Sequence, residues 1–380
     1  MKILVNAIPF SEITTGIQRY VRCLYKELLR LDGVSVSYFR RSGCDRDMPT
    51  EANSERWTRK AQMVAQLPDP LIVGLRVLDR MRFEWSLNQT SRRRKFDVYH
   101  EPNYFPPAID GLPTVYTIHD LSLLKHKDKH PRERVWFSDI FFKRRLPRAA
   151  HIITVSHFVK EEVIDELGVP PEKVTAIHLS HGAVHHPRTR GDVDDMLERH
   201  GWPKEYVLFV GTLEPRKNLS LLIKALSMMK RDIPLLLTGW SGWGDKSWRE
   251  EIQRLGLQNR VVLTGYTDDE TLARLYAGAA AFVYPSFYEG FGLPILEAMA
   301  CGCPVICSNC SSLPEVAGEA AMLIDPQDPE TLANSLDRVL HDSSLRERLI
   351  CSGQQRSRAF SWNKTALETL DVFEQVSAMQ

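Results

Sequence analysis

The 380-residue chain lacks any stretch approaching the roughly 18 unbroken apolar residues of a membrane-spanning helix, which argues against a helical integral membrane protein. Its opening segment, MKILVNAIPF, has an apolar run too short for a signal peptide and reads as a first strand. Cysteine is sparse, at seven residues. Cys301, Cys303, Cys307 and Cys310 cluster, but no second pair of ligands completes a zinc site, and the segment between Cys303 and Cys307 reads as a strand. They are expected to be reduced, largely buried thiols of a cytosolic protein. No acidic D-x-D-like motif stands at the end of an expected strand, so no essential divalent metal is expected. Aromatic residues are not interleaved with bases as in a platform for single strands, so nucleic acid is not an expected partner. No internal repeat is evident.

What is present describes a folded protein: 43% hydrophobic and 26% charged residues. The length exceeds one typical core and fits two domains. The net charge of +1 hides an asymmetry, with 29 Lys and Arg against 22 Asp and Glu in residues 1–185, and 20 against 26 in residues 186–380. The basic half contains Arg92-Arg93-Arg94-Lys95 and Lys143-Arg144-Arg145, clusters that can meet an anionic surface. Phe137, Phe141 and Phe142 share a helix-like stretch with the second cluster, which suits an interface or a membrane surface. The competing expectation is that these rings are ordinary helix core.

Apolar runs alternate with helical patterns along both halves. In residues 1–185, strands are expected at 2–7, 34–39, 98–100, 113–118, 152–155 and 174–177, with an amphipathic helix at 16–31. Residues 41–90 read as an inserted helical or mobile region, and a polar linker is expected around 186–195. In residues 186–360, strands are expected at 207–211, 234–238, 261–264, 281–284, 305–307 and 321–324, and helices at 219–228, 270–277 and 293–300. The pattern predicts an α/β fold of two doubly wound domains. Ligands in such domains sit beyond the carboxyl ends of strands, so an interdomain cleft is expected to hold the site.

The stretch FYEGFGLPILEAMACGCPVICS carries the sharpest chemistry. It reads as strand end, glycine turn, helix and next strand. Glu289, Gly290, Phe291 and Gly292 form the turn, and the helix opening at Leu293 offers free N–H groups to an anion. Glu297 lies about two turns from Glu289. Two acids repel bare phosphate but suit the hydroxyl-rich parts of a ligand whose phosphates meet the glycine loop and nearby bases. A nucleotide sugar is such a ligand. Two further anion grips follow expected strands. One is Thr14-Thr15-Gly16-Ile17, where Gly16 lets backbone and ligand approach closely, although this is not a full G-x-G-x-x-G fingerprint. The other runs from Gly211 to Asn218, where Arg216 can fork onto phosphate oxygens and Lys217 adds a point charge. Asp268-Asp269-Glu270 reads as a helix cap. His119-Asp120 follows an apolar strand, where a histidine can donate to an alcohol or a developing oxyanion.

Glu289 and Glu297, with seven residues between them and the surrounding glycines, Pro285 and Pro304, closely resemble the signature of the retaining, nucleotide-sugar-dependent glycosyltransferases of family 4, which have a GT-B fold. The resemblance covers nearly the whole chain. It implies a domain on the acceptor side at residues 1–185, a nucleotide-sugar-binding domain at 186–360, and a helix at 361–380 returning towards the first domain. It implies that Glu289 contacts the donor sugar and Glu297 the ribose, that Gly16, Gly211, Arg216 and Lys217 face the diphosphate, and that His119 lies near the sugar and β-phosphate, with Asp120 orienting it or facing the acceptor. Gly239 and Tyr266 match stretches lining the nucleotide-base pocket, HEPNYFPP from His100 matches an acceptor-side loop, and His181-Gly182 could approach the diphosphate. Thr15 stands where relatives often carry the first of two adjacent glycines.

Within the family, HEPNYFPP and FFKRRLPRAAHIITVSHF resemble segments of bacterial mannosyltransferases that build O-antigen or capsule-like polysaccharides. That implies GDP-mannose as donor, a saccharide on polyprenyl diphosphate as acceptor, no cofactor or metal, and a cytoplasmic enzyme making peripheral contact with the anionic inner membrane. Rhamnosyl or glucosyl transfer from another nucleotide sugar is the alternative, followed by a GT-B nucleotide-sugar epimerase or a noncatalytic carbohydrate-binding protein.

Overall fold

The structure is a computed structural model of the chain that describes residues 1–11, 16–40, 43–50, 67–103, 105–240 and 247–379. Thr14, Thr15 and the Ser241-Gly242-Trp243 segment fall outside the described residues. The chain divides into two compact units, Met1–Leu179 with Trp362–Gln380, and Ser180–Ser361. The division falls six residues before the expected boundary at 185/186. Residues 180–185 join the second unit, where the Ser180 hydroxyl donates to the Phe360 carbonyl at 3.0 Å.

In the first unit, the described strands are β1 (Lys2–Asn6), β2 (Ser35–Arg40), β3 (Gly43–Asp45), β4 (Val98–Glu101), β5 (Thr114–Ile118), β6 (His151–Thr154) and β7 (Val174–Ala176). They form one sheet in the order β3-β2-β1-β4-β5-β6-β7. All pairs are parallel except β3 on β2. A parallel sheet is covered on both faces, which is why its strands read as continuous apolar runs such as Ile3-Leu4-Val5, all fully buried. The order reverses between β1 and β4, and ligands of such sheets bind outside the carboxyl ends at a reversal.

The first helix, Gly16–Leu28, buries Tyr20, Val21, Leu24, Tyr25 and Leu28 at helical spacing, and it stops three residues short of the expected end. The Trp362–Ala378 helix packs on it. The Thr365 hydroxyl there donates to the His178 carbonyl at 2.7 Å.

In this unit the helical reading of residues 41–90 is borne out where they are described, and of the two readings of Phe137, Phe141 and Phe142 the core one holds. The 41–90 region, where described, contributes the edge strand β3 and a 25-residue helix, Asp69–Arg93. The helix opens with Pro70, whose missing N–H costs nothing in a first turn. Phe141 and Phe142, on the Arg132–Arg145 helix, are buried in a core cluster with Phe105, Ile118 and Val159, and Phe137 packs against that cluster. These rings are core rather than a membrane surface.

The second unit contains β8 (Val207–Val210), β9 (Leu235–Thr238), β10 (Val261–Gly265), β11 (Ala281–Tyr284), β12 (Val305–Ser308) and β13 (Met322–Ile324), all parallel, in the order β10-β9-β8-β11-β12-β13. Its reversal lies between β8 and β11. The polar linker expected at 186–195 becomes, from Arg190, the Arg190–His200 helix. Its N-cap is Thr189, whose hydroxyl accepts from the Asp192 amide at 3.3 Å, and it ends at Gly201 in the left-handed region. Val193, Met196 and Leu197 supply a narrow buried stripe that the surrounding acids mask in the sequence. Among the described residues, no helix is long and apolar enough to cross a membrane.

Candidate active site

The reversal point of the second sheet gathers most of the expected site residues. Beyond β8 the chain passes Gly211 and turns tightly at Pro215–Lys217. It then enters the Leu219–Met228 helix through Asn218, which takes φ 57°. The Asn218 amide donates to the carbonyls of Pro285 at 3.1 Å and Pro326 at 2.8 Å, stitching this loop to the one after β11. The Phe287 amide donates to the Arg216 carbonyl at 3.0 Å. Beyond β9, Gly239 takes φ 139°, and a Cβ there would lie 2.1 Å from the Gly211 carbonyl oxygen. Only glycine lets these two strand ends approach so closely.

The basic pair and the first acid form one buried cluster. Lys217 donates from Nζ to Glu289 Oε1 at 2.6 Å and to the Tyr284 hydroxyl at 2.6 Å. Arg216 reaches Glu289 Oε2 at 2.9 Å with Nη1 and Glu214 Oε1 at 2.6 Å with Nη2. Burial alone would raise the Glu289 carboxyl, but Arg216 and Lys217 outweigh it and hold it down at about 2. Burial, with Arg216 beside it, lowers the Lys217 ammonium despite Glu289. At neutral pH the Glu289 carboxylate is ionised and doubly paired. The sequence reading gave the acid to the sugar and the bases to the phosphate; the structure brings all three together. It adds Glu214, so two cations and two carboxylates balance, and an anionic ligand must compete with the acids for the bases. Glu214 lies two residues before Arg216, and no local pattern marks it as a partner.

The turn after Glu289 is braced by side chains. The Glu289 amide donates to the Ser311 hydroxyl at 3.0 Å, and Ser312 Oγ donates to the carbonyls of Glu289 and Phe291, each at 2.9 Å. Phe291 is buried, its ring edge-on to Phe360 at 6.0 Å. Gly292 takes φ 103°, and a Cβ there would meet Leu313 at 2.8 Å. Gly290 lies between these braced carbonyls, and Leu293 opens the Leu293–Ala300 helix. Glu297, on that helix, is buried. It accepts from the Tyr276 hydroxyl at 3.1 Å, and His185 Nε2 stands 4.0 Å from the same oxygen, Oε2. Tyr276 and His185 were absent from the sequence-derived set, because both lie far from the motif along the chain. Beyond β10, Tyr266 is 43% exposed, and its ring lies 5.3 Å from that of Trp240 at an interplanar angle of 34°. The two rings form an open aromatic surface at the strand ends. Asp268 caps the Asp269–Gly278 helix, as expected, accepting from the Thr271 amide at 2.9 Å. Cys301, Cys303 and Cys307 are buried, and burial pushes the Cys301 thiol up to about 12.

The remaining expected residues belong to the first unit. Gly16 opens its first helix. His119 stands just beyond β5, its ring edge-on to Tyr20 at 4.9 Å. Its Nε2 lies 2.8 Å from the Pro102 carbonyl. A carbonyl can only accept, so Nε2 carries the proton. Burial lowers the pKa of His119, which leaves the ring neutral at pH 7 and Nδ1 as an acceptor. The expected donation to an oxyanion is therefore replaced by the capacity to accept a hydroxyl proton. Asp120 Oδ1 accepts from the Ser122 amide at 2.8 Å, just ahead of the short Ser122–Lys125 helix, and its charge acts on the His119 ring. His100, expected in an acceptor-side loop, is fully buried in β4, with Tyr25 2.7 Å from Nδ1 and Thr117 2.8 Å from Nε2. It is a core histidine, and burial lowers its pKa to about 3. His181 is half-buried, with Nδ1 3.1 Å from the Gly182 carbonyl.

The geometry can be set beside known proteins. Residues 193–356 match the family described as glycosyl transferases group 1, and residues 14–179 match glycosyltransferase family 4. The O-antigen chain mannosyltransferase B of Escherichia coli is 33% identical over 386 residues, spanning 98% of this chain and 100% of that protein. Among solved structures, sucrose-phosphate synthase from Thermosynechococcus elongatus aligns with a TM-score of 0.75 at 23% identity, covering 100% of this chain and 99% of that one. Anabaena HepE, in complex with UDP and glucose, aligns with a TM-score of 0.72 at 19% identity, covering 99% and 100%. Both likenesses support the fold, which is GT-B.

Proposed function

The chain belongs to glycosyltransferase family 4, and from that premise we propose that it is a retaining mannosyltransferase, moving α-mannose from GDP-mannose to a saccharide on polyprenyl diphosphate during bacterial surface-polysaccharide assembly. The observation that carries the reading is the buried cluster of Arg216, Lys217 and Glu289 at the reversal point of the second sheet. The choice of mannose is supported by the full-length similarity to an O-antigen chain mannosyltransferase.

In this reading the donor diphosphate draws Arg216 and Lys217 away from their acids. Charge then grows on the leaving diphosphate as the sugar C1–O bond breaks, and the two bases stabilise that charge most in the transition state. Glu289, released on one side, faces the sugar and balances the positive charge developing at C1. Glu297 receives a ribose hydroxyl, and the Trp240–Tyr266 surface covers the base. The acceptor hydroxyl attacks C1 on the face from which the diphosphate leaves, and the departing phosphate oxygen takes its proton. Configuration is thereby retained. The two bases meet the leaving charge directly, so turnover requires no divalent metal. The enzyme works in the cytoplasm, peripheral to the anionic inner membrane that carries its acceptor.

Purified protein is to be given GDP-mannose, GDP-rhamnose and UDP-glucose in turn, with a synthetic saccharide on polyprenyl diphosphate, in EDTA. The expected product is an α-mannoside from GDP-mannose alone, formed at the same rate with and without EDTA. Transfer only from another donor would replace the mannose assignment. Loss of activity in EDTA, restored by Mg²⁺ or Mn²⁺ without unfolding, would overturn the leaving-group chemistry.

A further inference from the structure

The Asp69–Arg93 helix carries large apolar side chains on both its inward and its outward face. Towards the unit it buries Arg80 and Glu84, paired at 3.1 Å, beside Phe83 and Leu87. Towards solvent it presents Leu71, Leu75, Leu78, Met81 and Trp85, a continuous stripe at spacings of three and four residues. Trp85 is 70% exposed and Met81 60%. The Arg132–Arg145 helix packs alongside and adds exposed Trp136 and Ile140. Single exposed apolar residues are ordinary, but seven on two adjoining helices form a patch of the kind that marks an interaction surface.

Exposed charge around the patch is predominantly basic. No exposed residue of the Asp69–Arg93 helix is acidic, and Arg82, Arg92 and Arg93 flank the stripe. On the neighbouring helix Lys143 and Arg144 are exposed. Arg144, Arg145 and Arg148 line a hollow of about 290 Å³ with Ile140 and Phe141. The exposed acids nearby are matched, Asp139 by Lys127 at 2.8 Å and Asp110 by Arg92 at 3.9 Å. Large apolar side chains including two tryptophans, rimmed by an excess of bases, complement an anionic phospholipid surface: the rings and leucines enter the headgroup boundary while the bases meet phosphates.

We infer that the outer face of the Asp69–Arg93 and Arg132–Arg145 helices is a docking surface for anionic phospholipid bilayers. This deepens the membrane contact of the proposed function and moves it from the buried Phe141 and Phe142 to the leucine–tryptophan stripe. It does not depend on the identity of the donor sugar.

The full chain is to be floated with vesicles of phosphatidylcholine alone and of equal parts phosphatidylcholine and phosphatidylglycerol. Binding to the mixed vesicles should exceed binding to the neutral ones at least roughly tenfold and weaken in high salt. Leu75→Glu with Leu78→Glu should abolish it, and Arg82→Glu with Arg144→Glu should reduce it at least roughly fivefold. Trp85→Phe should keep binding but show weaker quenching by brominated lipid, the remainder coming from Trp136. Turnover on a soluble saccharide acceptor should be unchanged in all of them, which also shows that they fold and keeps this test separate from that of the transfer reaction. Equal binding by wild type and the Leu75/Leu78 variant would overturn the inference. So would absence of vesicle binding by a wild type that self-associates and becomes monomeric in that variant, which would assign the face to a second copy of the chain.

Discussion

The two units are built on the same parallel-sheet plan but place their charges differently. In the second, Arg216, Lys217, Glu214 and Glu289 are gathered at the carboxyl ends of β8 and β11, where the strand order reverses and a ligand can enter. In the first, a buried charge network braces structure. Arg80 joins Glu84 at 3.1 Å and approaches Glu101 at 3.8 Å, Arg145 joins Glu84 at 2.8 Å, and Asn6 donates to Glu101 at 2.7 Å. That network ties two helices to β4, and the outward face of those helices is apolar. Buried charge is therefore not by itself a mark of the active site. Its position relative to the strand ends distinguishes the grip from the brace.

The sharpest way to break this contrast is to remove the bases of the grip. Lys217→Ala should lower kcat/KM by a factor of about 10²–10³, the scale of losing one donor to a developing oxyanion. Arg216→Ala with Lys217→Ala leaves Glu289 buried and uncompensated, which should cost about 3–5 kcal/mol of stability in a denaturant titration. Adding Glu289→Gln should restore much of that stability and none of the turnover. If the triple variant recovered turnover, the cluster would be structural, as in the first unit.

The next effect is a pair of opposite pH dependences. Glu289 has a folded pKa of about 2 against an ordinary 4.5, so its contribution is present above about pH 4.5 and is lost as pH falls through 2. Glu101 lies the other way. Burial outweighs Arg80 and its hydrogen bonds and pushes it up to about 7, so its contribution is present below about pH 4.5 and is lost as pH rises through 7. Each shift corresponds to on the order of 3 kcal/mol. At pH 8 Glu289→Gln should destabilise and Glu101→Gln should stabilise, with the second effect gone at pH 4.5. Unfolding curves at the two pH values decide it; effects of the same sign at pH 8 would erase the distinction between grip and brace. Glu289→Gln should in addition lower kcat.

The smallest expected effect separates orientation from chemistry within the second unit. Tyr276→Phe removes one hydrogen bond to Glu297, a loss of about 1 kcal/mol or roughly fivefold. It should raise KM for the donor while leaving kcat near that of the wild type, as should Glu297→Gln. A fall in kcat with unchanged KM would move Glu297 from nucleotide binding to the reacting centre.

The grip was legible because its parts are contiguous. Glu289 to Glu297 lie on one turn and one helix, and Arg216-Lys217 follow an apolar strand directly. What stayed hidden depends on contacts distant along the chain. Tyr276 meets Glu297 across 21 residues, and the burial of His100 depends on Tyr25 and Thr117, which no local pattern announces. Residues 69–93 show no clear helical period because the helix is apolar on both faces, with Ile72, Phe83 and Leu87 inward beside an Arg80–Glu84 pair and Leu71, Leu75 and Leu78 outward. The Arg190–His200 helix was read as linker because its apolar stripe is only three residues among acids and bases. His119 was placed correctly at the end of β5, but its hydrogen-bonding sense was set by Pro102, which lies on another strand's exit.

The most direct test of the account is a crystal structure with GDP-mannose bound. The prediction is that Arg216 and Lys217 leave Glu289 for the diphosphate, each at a hydrogen-bond distance of roughly 3 Å, while Glu289 turns to the mannose and Glu297 to the ribose. A diphosphate bound elsewhere, with the Arg216–Lys217–Glu289 cluster intact beneath it, would contradict the account even though the fold and family would stand.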